Sequence, residues 1–166
     1  MSNAMWMVRP GGRQTIGDTL RRLGVVAVGL GMEIGEIPED GDRFALSERF
    51  RQLHPTWRSG RQRAAAAQLW CFLHEIERGD QVLTYDPIGR CYYLGEVTSE
   101  AEWDDIELPD LPMRRSVSWT HRVDVESLPA DTRGALNVLQ KLFGIADRHA
   151  SAVRDAAVDL SAAAAI

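Results

Sequence analysis

The segment from residue 68 to residue 97 constrains the fold more than any other part of the chain. Four apolar residues in its first half recur at i, i+3, i+4 and i+7, the spacing of one helix face: Leu69, Phe72, Leu73 and Ile76. Its second half carries two runs of β-forming residues, 82–85 and 92–97, separated by the turn-forming residues 86–90. The segment therefore predicts a helix that packs through one apolar face and a two-stranded hairpin after it.

The rest of the chain alternates short strands and helices at irregular spacing. The predicted elements are a strand at 5–9, a helix at 14–23, a strand at 24–29, helices at 46–53 and 61–78, a strand at 116–125, a helical segment at 127–143 and an Ala-rich helical tail beyond 147. This order does not repeat as strand–helix–strand units, which argues against a doubly wound parallel sheet. We expect an α+β fold, with a small mixed or antiparallel β-barrel surrounded by helices.

Length and composition favour one folded domain. The chain has 166 residues, of which 45% are hydrophobic and 26% are charged, close to the globular average. We assign residues 1–4 to an expression scar, residues 5–146 to the domain, and residues 147–166 to a tail or linker toward a C-terminal domain that this sequence lacks. No apolar run approaches the ~18 residues of a membrane-spanning helix. We therefore expect a cytoplasmic protein without a membrane partner.

The charges are segregated along the chain. The formal net charge of −5 taken alone argues against nucleic-acid binding. However, residues 43–63 contain six arginines against one acid, Glu48, whereas residues 96–110 contain seven acids and no basic residue. Arginine grips phosphate in a bidentate fork and stacks on bases, so the arginine-rich segment is a candidate backbone-contacting surface. The alternative is that these arginines are ordinary solvated helix positions, in a chain that uses arginine in place of lysine.

Four stretches of the chain resemble a known family when they are taken in order. They are 6–12, 24–31, the helix and hairpin of 68–97, and 114–119. Over roughly residues 6–145 the sequence resembles the N-terminal domain of Mrr-type restriction endonucleases, which belongs to the PUA-like group with the EVE and YTH readers of modified bases. The resemblance implies a PUA-like barrel of the EVE/YTH type, binding to DNA that carries a modified base, and a nuclease domain that follows this chain.

The resemblance also suggests where a base would bind. An extruded base is held between aromatic faces and read along its edge by hydrogen bonds. Three aromatic residues match the pocket-lining pattern, glycines in a turn allow close approach of a ligand, and a leucine stands where the family usually has tryptophan. The base-binding candidates are Trp6, Arg9, Gly11, Gly12, Leu30, Tyr85 and Trp119. The candidates for contact with the nucleic-acid backbone are Arg13, Arg58, Arg61, Arg63 and Arg115. For Trp119, packing in the core is the alternative.

Motifs of catalysis and metal binding are missing from the sequence. It contains no P-loop, dinucleotide fingerprint, GxSxG or HExxH motif, and its single lysine, Lys141, has no neighbouring acids of a nuclease core. Cys71 and Cys91 lie outside any metal-binding spacing, so we expect free thiols, no metal and no cofactor. Three functions remain: a DNA reader for a restriction endonuclease, an RNA-binding PUA-like module, and a protein-interaction module that uses the acidic residues 99–110.

Overall fold

The computed structural model describes residues 3–9, 14–29, 43–104, 107–138 and 140–160. Its strands are β1 (Met5–Val8), β2 (Val25–Val28), β3 (Gln81–Asp86), β4 (Cys91–Val97), β5 (Glu102–Trp103), β6 (Met113–Asp124), β7 (Leu142–Gly144) and β8 (Val158–Asp159). Its helices are α1 (Gln14–Leu23), α2 (Arg43–Leu53), α3 (Ser59–Trp70), α4 (Ala130–Leu136) and α5 (Asp147–Ala156). One π-helical turn, Cys71–Glu75, continues α3, and a 3-10 turn, Val125–Ser127, precedes α4.

The strands form one curled sheet in the order β2-β6-β4-β3-β1-β7, with β5 and β8 also paired to β6. The β1–β3 pair is parallel, and the other pairs are antiparallel. Strand β6 pairs with β2 through residues 113–116 and with β4 through residues 117–124, so one long strand bends the sheet around itself. The result is a mixed α+β fold in which a half-barrel is surrounded by helices, as the sequence predicts at this coarse level.

A bulge between Leu94 and Gly95 sharpens the curl. A Cβ at Gly95 would lie 2.5 Å from Val117 Cγ1 and 2.8 Å from the carbonyl oxygen of Ser118. Both distances are too short for a side chain, so β4 can approach β6 this closely only with glycine at this position.

Apolar side chains cover both faces of the sheet because strand residues alternate between them. On one face, Val8 and Val82 belong to a cluster that includes the buried residues of α2 and α3. On the other, Met7 and Leu83 belong to a cluster that includes the buried residues of α4 and α5. We call these the α2–α3 face and the α4–α5 face.

The helix before the hairpin packs as its periodicity predicts. Leu69, Phe72 and Ile76 are buried, and Leu73 is partly buried against the same cluster. The predicted helix of 61–78 differs at its end, because α3 stops at Trp70 and one π-helical turn follows. Within that turn the carbonyl of Phe72 accepts a hydrogen bond from the buried Arg115 side chain, at 2.9 Å.

The C-terminal part of the chain departs most from the prediction. The prediction of one helical segment at 127–143 is wrong. Among the described residues of this range, only α4 is α-helical, and β7 follows it. Strand β7 pairs antiparallel with β1, and this edge pairing overrides the local helical pattern. Beyond residue 147, α5 buries Ala150 and Val153 against the α4–α5 face, and β8 pairs with β6.

Candidate nucleic-acid interface

Two of the predicted base-binding aromatics are packed on the α2–α3 face. Trp6 is half-buried there, and its Nε1 donates to Oδ2 of Asp80 at 3.0 Å. Trp119 is also half-buried and lines a cavity of about 10 Å³, which is room for about one water molecule. Both indoles therefore contribute to the apolar packing of this face within the described residues.

The third aromatic lies on the opposite face of the sheet. Tyr85 follows Leu83 by two residues on β3 and lines a groove on the α4–α5 face together with Arg9. The structure therefore brings Arg9 and Tyr85 together on one face of the sheet, whereas Trp6 and Trp119 lie on the other face. The candidates Gly11, Gly12, Arg13 and Leu30 lie outside the described residues.

Arg115 does not serve as a phosphate contact in this structure. Its residue surface is 1% exposed, and its guanidinium donates to the carbonyl oxygens of Phe72 at 2.9 Å and Ser99 at 3.0 Å. Burial lowers the pKa of the Arg115 guanidinium, and the nearby carboxylates of Glu100 and Asp80 oppose that shift. In this structure the Arg115 side chain ties the π-helical turn to β6 inside the fold, where its guanidinium is not exposed to a nucleic-acid backbone.

The arginine-rich segment forms a helical pair, α2 and α3, that packs on the sheet through Leu46, Phe50, Ala65, Ala66 and Leu69. Arg58, Arg61 and Arg63 are exposed where α3 begins. In the described part of the chain, none of these three arginines has an ion-pair partner. The start of α3 therefore presents positive charge that no acid of the described residues compensates.

A stack of three side chains stands at this surface. The guanidinium carbon of Arg61 lies 3.9 Å from the ring centroid of Trp57. On Trp57 in turn lies the His54 ring, with centroids 3.8 Å apart and planes 5° apart. The loop between α2 and α3 therefore carries a cation–π contact and an aromatic stack in one arrangement.

Buried contacts hold that loop in place. The side-chain amide of Gln62, itself buried, donates to the carbonyl oxygens of His54 at 2.9 Å and Trp57 at 3.1 Å. On its inner side, Trp57 stacks toward the buried Phe50 with ring centroids 6.3 Å apart. Because both ends of the loop are bonded to the α3 side chain, the stack is preorganised before any ligand arrives.

The stability of α3 does not explain the placement of its arginines. Arg58 occupies the N-cap and Arg61 lies in the first turn, where no acidic residue is present. Positive side chains at this end oppose the helix dipole, whereas an anion would be favoured there by the dipole and by the arginines together. The arrangement is typical of a surface that attracts phosphate.

Acidic residues after β4 are engaged with arginines of the same chain. Glu107 accepts a hydrogen bond from Arg22, and this bond holds the pKa of the Glu107 carboxyl below its usual range. Glu100 lies 3.5 Å from Arg78, and Asp104 lies 3.9 Å from the Arg114 guanidinium. Much of the acidic charge counted in the sequence is thus locally neutralised.

Sequence reasoning missed His54 and Trp57 at the stack, and Tyr92, Arg133 and Asn137 at the groove. Trp57 precedes the N-cap of α3, so its contact with Arg61 depends on the loop conformation and no helical spacing signals it. Arg133 and Asn137 have an i, i+4 spacing at the end of α4 but join Arg9 only through the fold. No group of three or more metal-binding side chains occurs within the described ranges, and no helix there is long and apolar enough to cross a bilayer.

One protein family matches residues 6–142, described as a domain of unknown function, DUF8426. The chain belongs to the DUF8426 family. Its matched region runs from β1 to the first residue of β7 and includes both the helical pair and the groove. Helix α5 packs on the same barrel but lies beyond the matched region. No curated protein and no solved structure matches the chain at a significant level.

Proposed function

We propose that this chain is a nucleic-acid-binding module that contacts the phosphate backbone of DNA through the outer surface of α2 and α3. The observation that carries the proposal is the stack of Arg61, Trp57 and His54 beside exposed arginines without ion-pair partners. Arginines at such a surface bind phosphate oxygens in a fork, and the ring of Trp57 holds the Arg61 guanidinium in position for that contact.

The finer proposal is a PUA-like barrel that reads a modified base for a restriction endonuclease. The half-barrel with surrounding helices is compatible with that fold, and the resemblance of the sequence to Mrr-type N-terminal domains supports the target and the context. Base reading in this proposal does not use Trp6 or Trp119, because both pack against the apolar cluster of the α2–α3 face.

Two alternatives to DNA remain as the ligand: RNA and a protein partner. The acidic residues 99–110 favour a protein partner less than their number suggests, because Glu100, Asp104 and Glu107 are close to arginines of the chain itself. Both alternatives become outcomes of the same binding experiment.

Fluorescence anisotropy tests the proposal with three labelled probes: a duplex with a modified cytosine, the matched unmodified duplex, and a single-stranded RNA. We expect duplex binding that weakens steeply with salt, because each phosphate contact contributes about 0.9 to the log–log slope on duplex DNA. Tighter binding to the modified duplex supports base reading. An affinity that stays flat from low to high salt would remove nucleic acid as the ligand.

A double variant locates the surface. Arg58→Glu/Arg61→Glu should abolish most duplex affinity, and any residual binding should show a salt slope lower by about 1.8. The matched control is Arg90→Glu/Arg148→Glu, which changes the net charge equally at two exposed arginines of other elements. Equal losses in both double variants would show that net charge, and not this surface, governs binding.

A further inference from the structure

The groove on the α4–α5 face takes no part in the proposed backbone interface. Its volume is about 330 Å³, and its lining residues are Arg9, Tyr85, Tyr92, Val125, Arg133 and Asn137. This volume is at the lower end of the range for small-molecule sites, roughly 300–1,000 Å³. The groove is therefore large enough for a ligand of mononucleotide size.

Two tyrosines form its aromatic wall. Tyr85 and Tyr92 are register partners across the β3–β4 hairpin, and their ring centroids lie 5.1 Å apart with planes tilted by 49°. Tyr92 is buried, whereas Tyr85 is 37% exposed. The buried ring thus supports the exposed ring from behind, and strand pairing fixes both. An aromatic surface held in this way is a platform on which a planar ring can stack.

Two arginines supply positive charge at the same groove. The terminal nitrogens of Arg9 donate to the carbonyl oxygens of Leu136 and Val138, which hold its guanidinium at the end of α4. Arg133 is exposed and has no ion-pair partner among the described residues. Among the described residues, the lining contains no carboxylate. In a chain of net charge −5, this is a local excess of positive charge that favours an anion.

The last polar group is the amide of Asn137, one turn after Arg133 on the same side of α4. An amide both donates and accepts hydrogen bonds, as the edge of a nucleobase does. The stacking surface, the two arginines and the amide together match a ligand that has a planar base and a phosphate.

We propose that this groove binds a nucleoside monophosphate, with its base on Tyr85, its phosphate near Arg133 and Arg9, and Asn137 at the edge of the base. The ligand is either a free mononucleotide or the phosphorylated end of a strand. The inference does not depend on the proposed function, because the groove and the α2–α3 surface lie on opposite faces of the sheet.

Isothermal titration of the full chain with adenosine monophosphate tests the site. Adenosine and inorganic phosphate should each bind at least tenfold more weakly, because each lacks one half of the recognised chemistry. Tyr85→Ala should weaken binding of the monophosphate by about 5-fold to 150-fold through lost stacking, while Tyr85→Phe retains it. Arg133→Gln should weaken it by about 10-fold or more. Arg78→Gln, an exposed arginine away from the groove, serves as the matched control.

A 5′-phosphorylated trinucleotide separates the two ligand sources. Tighter binding of the trinucleotide identifies a strand end, and tighter binding of the monophosphate identifies a free nucleotide. The inference is overturned if millimolar adenosine monophosphate does not bind, if phosphate alone binds equally well, or if folded Tyr85→Ala binds unchanged. Arg58→Glu/Arg61→Glu must leave this affinity intact. If this double variant also lost affinity for adenosine monophosphate, the ligand would bind at the α2–α3 surface and not in the groove. If it lost only duplex binding, the result would concern the proposed function alone.

Discussion

Arginine residues do two different things in this molecule, and burial decides between them. Arg115 lies inside the fold, where a guanidinium is tolerated only because carbonyl oxygens accept its hydrogen bonds. Arg61 lies at the surface with its guanidinium over Trp57. Nothing local in the sequence separates the two residues, because the partners of Arg115 are 43 and 16 positions away.

Replacing Arg115 tests its structural role. Arg115→Ala leaves the buried carbonyl oxygen of Phe72 and that of Ser99 without their donors, and each unmatched group costs about 1–3 kcal/mol. We expect the free energy of unfolding to fall by about 3 kcal/mol or more in urea titrations. Arg78 is an exposed arginine that, like Arg115, lies near Glu100. Arg78→Ala should change the free energy of unfolding by less than about 0.5 kcal/mol. A stable Arg115→Ala protein with weakened DNA binding would restore the phosphate-contact interpretation.

Burial of the Cys71 thiol predicts a loss of stability at alkaline pH. Burial, with smaller effects of Glu75, raises the pKa of the Cys71 thiol to about 12. In the unfolded chain the thiol ionises near pH 8.5. Its contribution to stability is therefore complete below about pH 8.5 and is lost as pH rises toward 12, because only the unfolded state releases the proton in between. Urea titrations from pH 8 upward should show a steeper fall for the native chain than for Cys71→Ala, and equal slopes would contradict the assignment.

At the scale of elements, α3 and its π-helical turn anchor the helical pair on the sheet. Phe72→Ala removes a ring that is fully buried in the cluster of the α2–α3 face. We expect it to lower the free energy of unfolding by about 3–5 kcal/mol. Phe44→Ala on α2 is the matched control, since that ring is 73% exposed. Similar effects of the two substitutions in denaturant titrations would show that the turn is not part of the core.

Elements with a clear apolar periodicity of their own could be predicted from the sequence. Helix α1, strands β1 to β4, α2, most of α3 and most of β6 follow from local patterns of apolar residues. The errors fall where pairing with a distant segment decides the conformation. Residues 142–144 become β7 because β1 offers an open edge, and α5 packs because the α4–α5 face is apolar. Neither partner is visible within a short window of sequence.

At the scale of the whole molecule, the sheet separates the candidate surfaces. The arginine-rich pair was visible in the sequence because its charges are contiguous along the chain. The groove was not, because Arg9 meets Arg133 and Asn137 only after β1 and α4 come together. The same division separates the aromatic residues that the sequence grouped into one cage. Tyr85 lies on the α4–α5 face, whereas Trp6 and Trp119 pack on the α2–α3 face, so similarity of residue type cannot bring these aromatics together.

Trp119 gives the final test of this division, because its indole joins β6 to the cluster beneath the helical pair and faces a cavity of only about 10 Å³. Trp119→Ala should lower the free energy of unfolding by about 3 kcal/mol, as large core truncations do. In protein that remains folded, the affinity ratio between modified and unmodified duplex should stay unchanged, since the indole does not reach a base. Thermal melts and anisotropy of the same samples measure both quantities. Loss of discrimination with an unchanged melt would mean that this tryptophan binds the base and that the packing described for it does not persist in solution.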